Sequence, residues 1–138
     1  TSDGPWVMTR LGEERTRERG YVYRSMFQSG AVVINGTDPP VEDIDPIDNF
    51  YRSVTRKMAD GEVFFPDQRM TRKQALASYT VNPAYAAFEE DIKGTLAPGK
   101  LADITVLSKD IMTIPDEEIL STEVLYTIIG GRILYQRR

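Results

Sequence analysis

The chain has 138 residues, of which 41% are apolar and 28% charged, and its net charge is −4, as is typical of a folded globular protein. This length excludes a complete (β/α)8 barrel, which needs about 250 residues, and the acidic balance argues against a nucleic-acid-binding surface. Cysteine and histidine are both absent. The chain therefore cannot form disulfides, thiolate sites, histidine metal sites or a Ser-His-Asp triad from its own residues. Any catalysis by its residues alone must use carboxylates, lysine, tyrosine or arginine.

Targeting signals are not visible. No stretch approaches the roughly 18 apolar residues of a membrane-spanning helix, and the first residues, TSDGPWVMTR, lack a signal-peptide core. We therefore expect a cytoplasmic protein without membrane or nucleic-acid partners. Position 1 is not a methionine, which suggests that the chain is cut from a longer protein.

The first third of the chain predicts one strand between helices. Apolar positions in residues 13–29 follow helical spacing, with a break at Gly20. The next segment, AVVIN at 31–35, is almost entirely apolar and β-branched, which is typical of a parallel strand covered on both faces. The residues GTDPP at 36–40 end it, because two prolines cannot continue a central strand.

The middle of the chain predicts three helices. Asp45 fits the N-cap before a proline, and apolar residues over 47–58 form one stripe that ends before Gly61. A Thr-x-x-Gln capping box predicts a short helix over 71–79. An Asn-Pro pair predicts another over 83–89.

The last third predicts an antiparallel sheet. Runs at 102–107, 124–129 and 132–136 have the composition of strands. The Gly130-Gly131 pair between the last two predicts a tight hairpin. The expected fold class is therefore α+β, a mixed arrangement of helices around one strand, followed by three strands.

Asp38 is the first candidate for chemistry. It follows the predicted strand 31–35 at its carboxyl end, where parallel α/β folds gather their ligand sites. A carboxylate there can bind a metal ion or accept a proton from water. The alternative is that Asp38 only caps the TDPP turn, and the local sequence alone favours this structural role.

The loop after Asp38 is acidic. It carries Glu42, Asp43, Asp45 and Asp48. Their spacing does not match a calcium loop, and we expect them to cap the following helix and face solvent. The Asn-Gly-Thr triplet at 35–37 matches the N-glycosylation pattern, which we interpret as accidental because it ends a buried strand.

Four segments resemble the amidohydrolase superfamily. GTLAPGKLADITVLSKDI at 94–111 and VLYTIIGGRILYQ at 124–136 are similar to the C-terminal end of its members. RLGEERTRERGYVYRSMFQSGAVVINGTDPPVE at 10–42 and TRKQALASYTVNPAYAAFEEDIKG at 71–94 resemble its subgroup of metal-dependent hydrolases known as the amidohydrolase 3 or YtcJ-like group. The resemblance covers nearly the whole chain.

The resemblance implies part of a TIM-like (β/α)8 barrel and part of a small β-sandwich. Residues 1–90 would be the C-terminal remnant of the barrel, with 31–35 as its eighth strand, and residues 91–138 the closing strands of the sandwich. Asp38 would be the aspartate at the end of the eighth strand, which in this superfamily binds metal or activates the hydrolytic water. Gly36 and Thr37 would match the small residues before it, with threonine where serine is usual.

The superfamily's histidine ligands come from earlier barrel strands that this chain lacks. The chain thus resembles the last quarter of such an enzyme. The implied activity, hydrolysis of the C–N bond of an amide or cyclic amide by metal-activated water, belongs to the intact enzyme. The implied cofactor there is a divalent metal, with zinc expected. We expect neither activity nor a tightly bound metal in this chain alone.

Two alternatives stay open at the level of sequence. The segment could be a non-catalytic binding or assembly module of the same ancestry. Carboxylates such as Asp38 and Glu42 could also act alone, although hydrolysis by paired carboxylates needs a defined separation. The expected partners are a small-molecule substrate for the intact enzyme and, for this chain, the missing N-terminal part of the same protein. Unpaired strand edges and uncovered apolar faces also predict a homodimer of the isolated chain.

Overall fold

The computed structural model describes every residue of the chain, from Thr1 to Arg138. Six helices precede a three-stranded sheet: α1 Gly4–Leu11, α2 Glu13–Arg19, α3 Tyr23–Gln28, α4 Pro46–Thr55, α5 Arg72–Tyr79, α6 Val81–Ala86, β1 Ile104–Leu107, β2 Val124–Ile129 and β3 Arg132–Gln136. Short 3-10 turns lie at Pro66–Gln68 and Asp116–Ser121. The expected mixed architecture, with helices first and a sheet last, is confirmed. None of the helices combines the length and hydrophobicity needed to cross a membrane.

Helices α4 and α5 begin where the sequence predicts. The Asp45 carboxylate accepts hydrogen bonds from the backbone N–H groups of Ile47 and Asp48, which satisfies donors that the first helical turn leaves free. Thr71 and Gln74 form the predicted capping box at the start of α5. Both helix starts are thus fixed by local side chains.

The ends of the helices and the breaks between them agree less well with the sequence predictions. Helix α4 ends at Thr55 because Arg56 adopts a left-handed backbone, with φ 56°, which a right-handed helix cannot include. The predicted end near Gly61 is therefore wrong. The predicted helix 13–29 is two helices, α2 and α3, with the break at Gly20 that the sequence indicated. Helix α1 is not predicted from the sequence.

Residues 31–35 form no β-strand in this chain, so the predicted strand is not observed. A strand needs a hydrogen-bonded neighbour, and the strands of this chain pair only with one another, in the order β1-β2-β3. The expectation that both faces of the segment are covered is also wrong, because Val32 and Ile34 are exposed. The chain lacks the neighbours that pairing and covering would require.

The main core joins the helices to the connection between β1 and β2. Its buried residues are Val33, Phe50, Tyr51, Val54, Met70, Ala75, Ile111 and Ile119. Ile119 is fully buried although it lies in a 3-10 turn. Because Ile111 and Ile119 come from the C-terminal part, the main core contains residues from both sides of the predicted boundary between 1–90 and 91–138. The division into these two regions stays a prediction.

A second cluster lies beside α1 and consists of Val7, Phe64 and Phe65, with Met58 against it. Arg56 connects this region to the N-terminal helices. Its Nε donates a hydrogen bond of 2.5 Å to the carbonyl oxygen of Phe64, and its Nη1 donates one of 3.0 Å to that of Tyr21. Burial lowers the pKa of the Arg56 guanidinium. These tertiary bonds hold Arg56 in the conformation that ends α4.

The sheet is antiparallel, with β2 in the centre. Gly130 and Gly131 connect β2 to β3 with φ 55° and 76°, as a type I′ hairpin requires, so the predicted hairpin is confirmed. None of the three strands contains a buried residue, and β3 is exposed along its whole length. The sheet is therefore only partly covered within this chain, with β1 and β2 half-buried and Leu107 packed against the main core.

Candidate functional site

The segment 31–35 has one covered and one open side. Val33 is 6% exposed and belongs to the main core with residues of α4 and α5. Val32 and Ile34 are 51% and 55% exposed. Alternate residues of an extended chain point to opposite sides, and this alternation is what the burial shows. One side therefore packs on the helices and the other is uncovered.

Hydrogen bonds hold one backbone edge of this segment. The N–H of Asn35 donates to the carbonyl oxygen of Ser78 at 3.0 Å, and Nδ2 of Asn82 donates to the carbonyl oxygen of Val33 at 2.8 Å. The N–H groups of Val32 and Ile34 have no partner. Buried backbone N–H and carbonyl groups are almost always hydrogen-bonded. The unpaired N–H groups on this second edge could therefore donate to the carbonyl oxygens of a neighbouring strand.

Two residues of α4 hold the end of the segment. Asn49 Nδ2 donates a hydrogen bond of 2.7 Å to the carbonyl oxygen of Gly36. Ser53 Oγ accepts one of 2.8 Å from Asn35 Nδ2 and donates one of 2.9 Å to the carbonyl oxygen of Asn49. The other amide atom, Asn35 Oδ1, accepts the N–H of Gly36 at 3.0 Å. The residues just before Thr37 are thus fixed by a connected set of side-chain hydrogen bonds.

Asp38 lies at the exposed end of the segment. Its backbone is left-handed, with φ 53°, which is uncommon for residues other than glycine but tolerated by aspartate. Its carbonyl oxygen accepts a hydrogen bond of 2.9 Å from Val41 N–H, which closes the turn. The side chain is exposed and makes no hydrogen bond, so the alternative in which it caps the turn is not observed. Its carboxylate is therefore accessible and available to bind a ligand.

The other carboxylates of the loop do not join Asp38. Asp48 pairs with Arg52 at 3.1 Å, and Glu42 accepts a hydrogen bond of 2.5 Å from the Ser2 hydroxyl. No three acidic side chains come close enough to hold a metal ion. As a carboxylate, Asp38 could serve as one ligand of a metal ion whose other ligands come from elsewhere.

Sequence reasoning does not identify Asn49, Ser53 or Asn82. The only signal for the first two is their spacing of four residues, which places them on one face of α4 and is too common to single them out. The Asn35 amide of the glycosylation pattern is bonded to Ser53 and Gly36, and the interpretation of this pattern as accidental stays a prediction.

Comparison with known proteins extends over nearly the whole chain. A family model described as the Amidohydrolase family matches residues 1–135. A protein of Bacillus subtilis named "Putative amidohydrolase YtcJ" is 30% identical over 139 residues, which are 99% of this chain and 26% of that protein. The N-substituted formamide deformylase of Arthrobacter pascens is 30% identical over 126 residues, which are 91% of this chain and 23% of that protein.

A solved structure agrees with these matches. The chain is similar to an uncharacterized metal-dependent hydrolase from Pyrococcus horikoshii, with a TM-score of 0.70 and 30% identity over 81% of this chain and 23% of that one. The chain spans about a quarter of the length of these relatives, as the resemblance to a C-terminal part implies. Because the family model matches almost every residue, this chain belongs to the Amidohydrolase family.

Proposed function

We propose that this chain is the C-terminal quarter of a metal-dependent hydrolase that cleaves the C–N bond of an amide or a cyclic amide, and that Asp38 lies in its active site. The observation that carries the proposal is the place of Asp38, an exposed carboxylate without a hydrogen bond that follows segment 31–35 at its carboxyl end. The relatives named as an amidohydrolase and a formamide deformylase support the type of bond.

The two-sided environment of segment 31–35 supports its assignment as the last strand of a (β/α)8 barrel. Helices α4 and α5 cover one side, as helices cover the outside of a barrel strand. The side chains of Val32 and Ile34 on the opposite side would face the barrel interior. Their free N–H groups would bond to a neighbouring strand from the preceding part of the protein. Active sites of such barrels lie at the carboxyl ends of the strands, where Asp38 is found.

In the proposed reaction, Asp38 accepts a proton from the attacking water. The water oxygen bonds to the carbonyl carbon, the C–N bond breaks, and Asp38 returns the proton to the leaving nitrogen. A bound divalent metal, with zinc the expected ion, would make the water a stronger nucleophile at neutral pH. Its remaining ligands would come from residues outside this chain, because no group of three acidic side chains in the chain could hold a metal ion.

The exposed sheet supports the assignment of residues 91–138 to a shared sandwich. A sheet without a buried residue needs further strands or a second sheet to bury its apolar side chains. We propose that the N-terminal strands of the same protein supply this cover, and that residues 1–90 belong to the barrel. The missing N-terminal part is thus the principal partner of both regions.

The test compares the complete open reading frame with this chain alone. The probes are N-substituted formamides and cyclic amides, with product release followed by mass spectrometry. We expect the complete protein to hydrolyse at least one probe, to lose the activity on metal chelation and to regain it with a divalent metal, while the 138-residue chain is inactive. Hydrolysis by this chain alone, or hydrolysis that survives full metal removal, would contradict the proposal.

A further inference from the structure

The direction of the Asp38 side chain depends on the backbone before it. The carboxylate makes no hydrogen bond that could orient it. A Cβ built on Gly36 would meet no atom within 4 Å, so that side of the residue is open. The contacts that hold the Gly36 backbone are the hydrogen bonds of its N–H and its carbonyl oxygen.

Asn49 makes the shortest of these bonds, 2.7 Å from its Nδ2 to the Gly36 carbonyl oxygen. Asn49 is itself firmly placed, since its N–H donates to the Asp45 carbonyl oxygen at 3.1 Å and its carbonyl oxygen accepts from Ser53. Ser53 also holds the Asn35 amide. The capped first turn of α4 is thus connected, through one side-chain amide, to the backbone two residues before Asp38.

We propose that Asn49 is a positioning residue for the reaction, supported by Ser53 and Asn35: its amide fixes the Gly36 carbonyl and thereby the direction in which the Asp38 carboxylate leaves the segment. This inference rests on the proposed function of Asp38. Asn49 does not contact the reacting atoms. It acts through the backbone, and its removal leaves Asp38 present but misplaced.

Asn82 is the matched control in the same segment. Its Nδ2 donates a bond of the same kind, 2.8 Å long, to the carbonyl oxygen of Val33, which lies five positions before Asp38. Asn49→Asp and Asn82→Asp are both nearly isosteric and both replace an amide donor by an acceptor. The two variants therefore lose bonds of the same type, one to the middle of the segment and one to the residue that follows it.

The experiment has two parts. In the 138-residue chain, backbone order parameters from nitrogen-15 relaxation are compared for the two variants and the unchanged chain. We expect Asn49→Asp to lower the order parameters of Gly36, Thr37 and Asp38, and Asn82→Asp to leave them unchanged. In the complete protein, we expect Asn49→Asp to lower kcat about 10- to 100-fold, as loss of a residue that orients a ligand does, with KM unchanged, and Asn82→Asp to retain kcat.

Two results would overturn the inference. One is wild-type kcat in Asn49→Asp. The other is an equal loss of kcat in both variants that follows their loss of melting temperature, which would show a general effect on folding. Asn49→Ala repeats the test without a new charge, in case Asn49→Asp does not fold. Asp38→Asn separates the two proposals: if it is inactive while both Asn49 variants are fully active, only the positioning role is wrong, and if it is active, the proposed function fails as well.

Discussion

Arg72 binds the backbone of Ile111 across 39 positions of the chain. Its Nη1 donates a hydrogen bond of 2.7 Å to the Ile111 carbonyl oxygen, and its Nη2 pairs with the Asp116 carboxylate at 2.5 Å. The Ile111 side chain is buried in the main core. One short stretch after β1 therefore provides both an apolar contact and an acceptor for α5.

The first prediction concerns this contact. Arg72→Met keeps much of the apolar stem but removes both polar bonds, and we expect it to lower the free energy of unfolding by about 1–2 kcal/mol. Urea denaturation of the 138-residue chain measures the change. Lys73→Met is the matched control, because Lys73 is exposed and makes no hydrogen bond or ion pair. Equal stability of the two variants would show that Arg72 contributes nothing.

The second prediction concerns alkaline pH. The Tyr21 hydroxyl donates a hydrogen bond to Asp3, and this bond, together with burial, raises the pKa of Tyr21 to about 12. The folded state thus holds the phenol proton more tightly than the unfolded state, whose pKa is about 10. The resulting stability is present below pH 10 and is lost as the pH rises from about 10 to about 12.

Tyr21→Phe isolates this contribution. We expect its urea midpoint to fall less steeply above pH 10 than that of the unchanged chain. Burial also raises the pKa values of Tyr23 and Tyr79. These two residues are present in both the Tyr21→Phe variant and the unchanged chain, so they do not contribute to the difference between the two pH profiles. Parallel pH profiles would mean that the Asp3 contact does not affect the titration of Tyr21.

The features predicted correctly from sequence have local causes. The Asp45 cap, the Thr71 and Gln74 capping box and the Gly130-Gly131 turn each need only residues within a few positions of one another. Their geometry is set by backbone donors and glycine conformations that the same short segment supplies.

The features missed from sequence depend on distant residues. Segment 31–35 has the composition of a strand but no neighbouring strand in this chain, so composition alone predicts the wrong state. Arg56 ends α4 through bonds to Phe64 and Tyr21, which no local pattern reveals. The assignment of Asp38 rests on its place after the segment and stays a prediction, whereas the bond from Asn49 to Gly36 is visible only in three dimensions.

The third prediction is that this chain has no tight zinc site. Asp38 supplies at most one or two of the ligands that a tetrahedral zinc site requires, the chain has no histidine, and no group of three acidic side chains could hold a metal ion. Calorimetric titration of the 138-residue chain with zinc should show only weak binding. Stoichiometric binding tighter than micromolar would contradict the prediction.

The fourth prediction is that the isolated chain forms a two-fold dimer. Strand β3 has no partner on its outer edge, and its Ile133 and Leu134 are 58% and 64% exposed. Exposed apolar edges pair with other chains, and two-fold dimers are the commonest closed assembly. Sedimentation at micromolar concentration should give a dimer that Leu134→Lys converts to a monomer. A clean monomer of the unchanged chain with a cooperative melt would contradict this.

Asp38→Asn in the complete protein tests the central claim most directly, with Asp43→Asn as the control from the same exposed loop. The amide keeps the shape of the side chain but cannot accept the proton from water. We expect Asp38→Asn to remain folded and to lose about 100-fold or more in kcat, while Asp43→Asn keeps its activity. Near-wild-type turnover by Asp38→Asn with its metal bound would show that Asp38 does not have the proposed role.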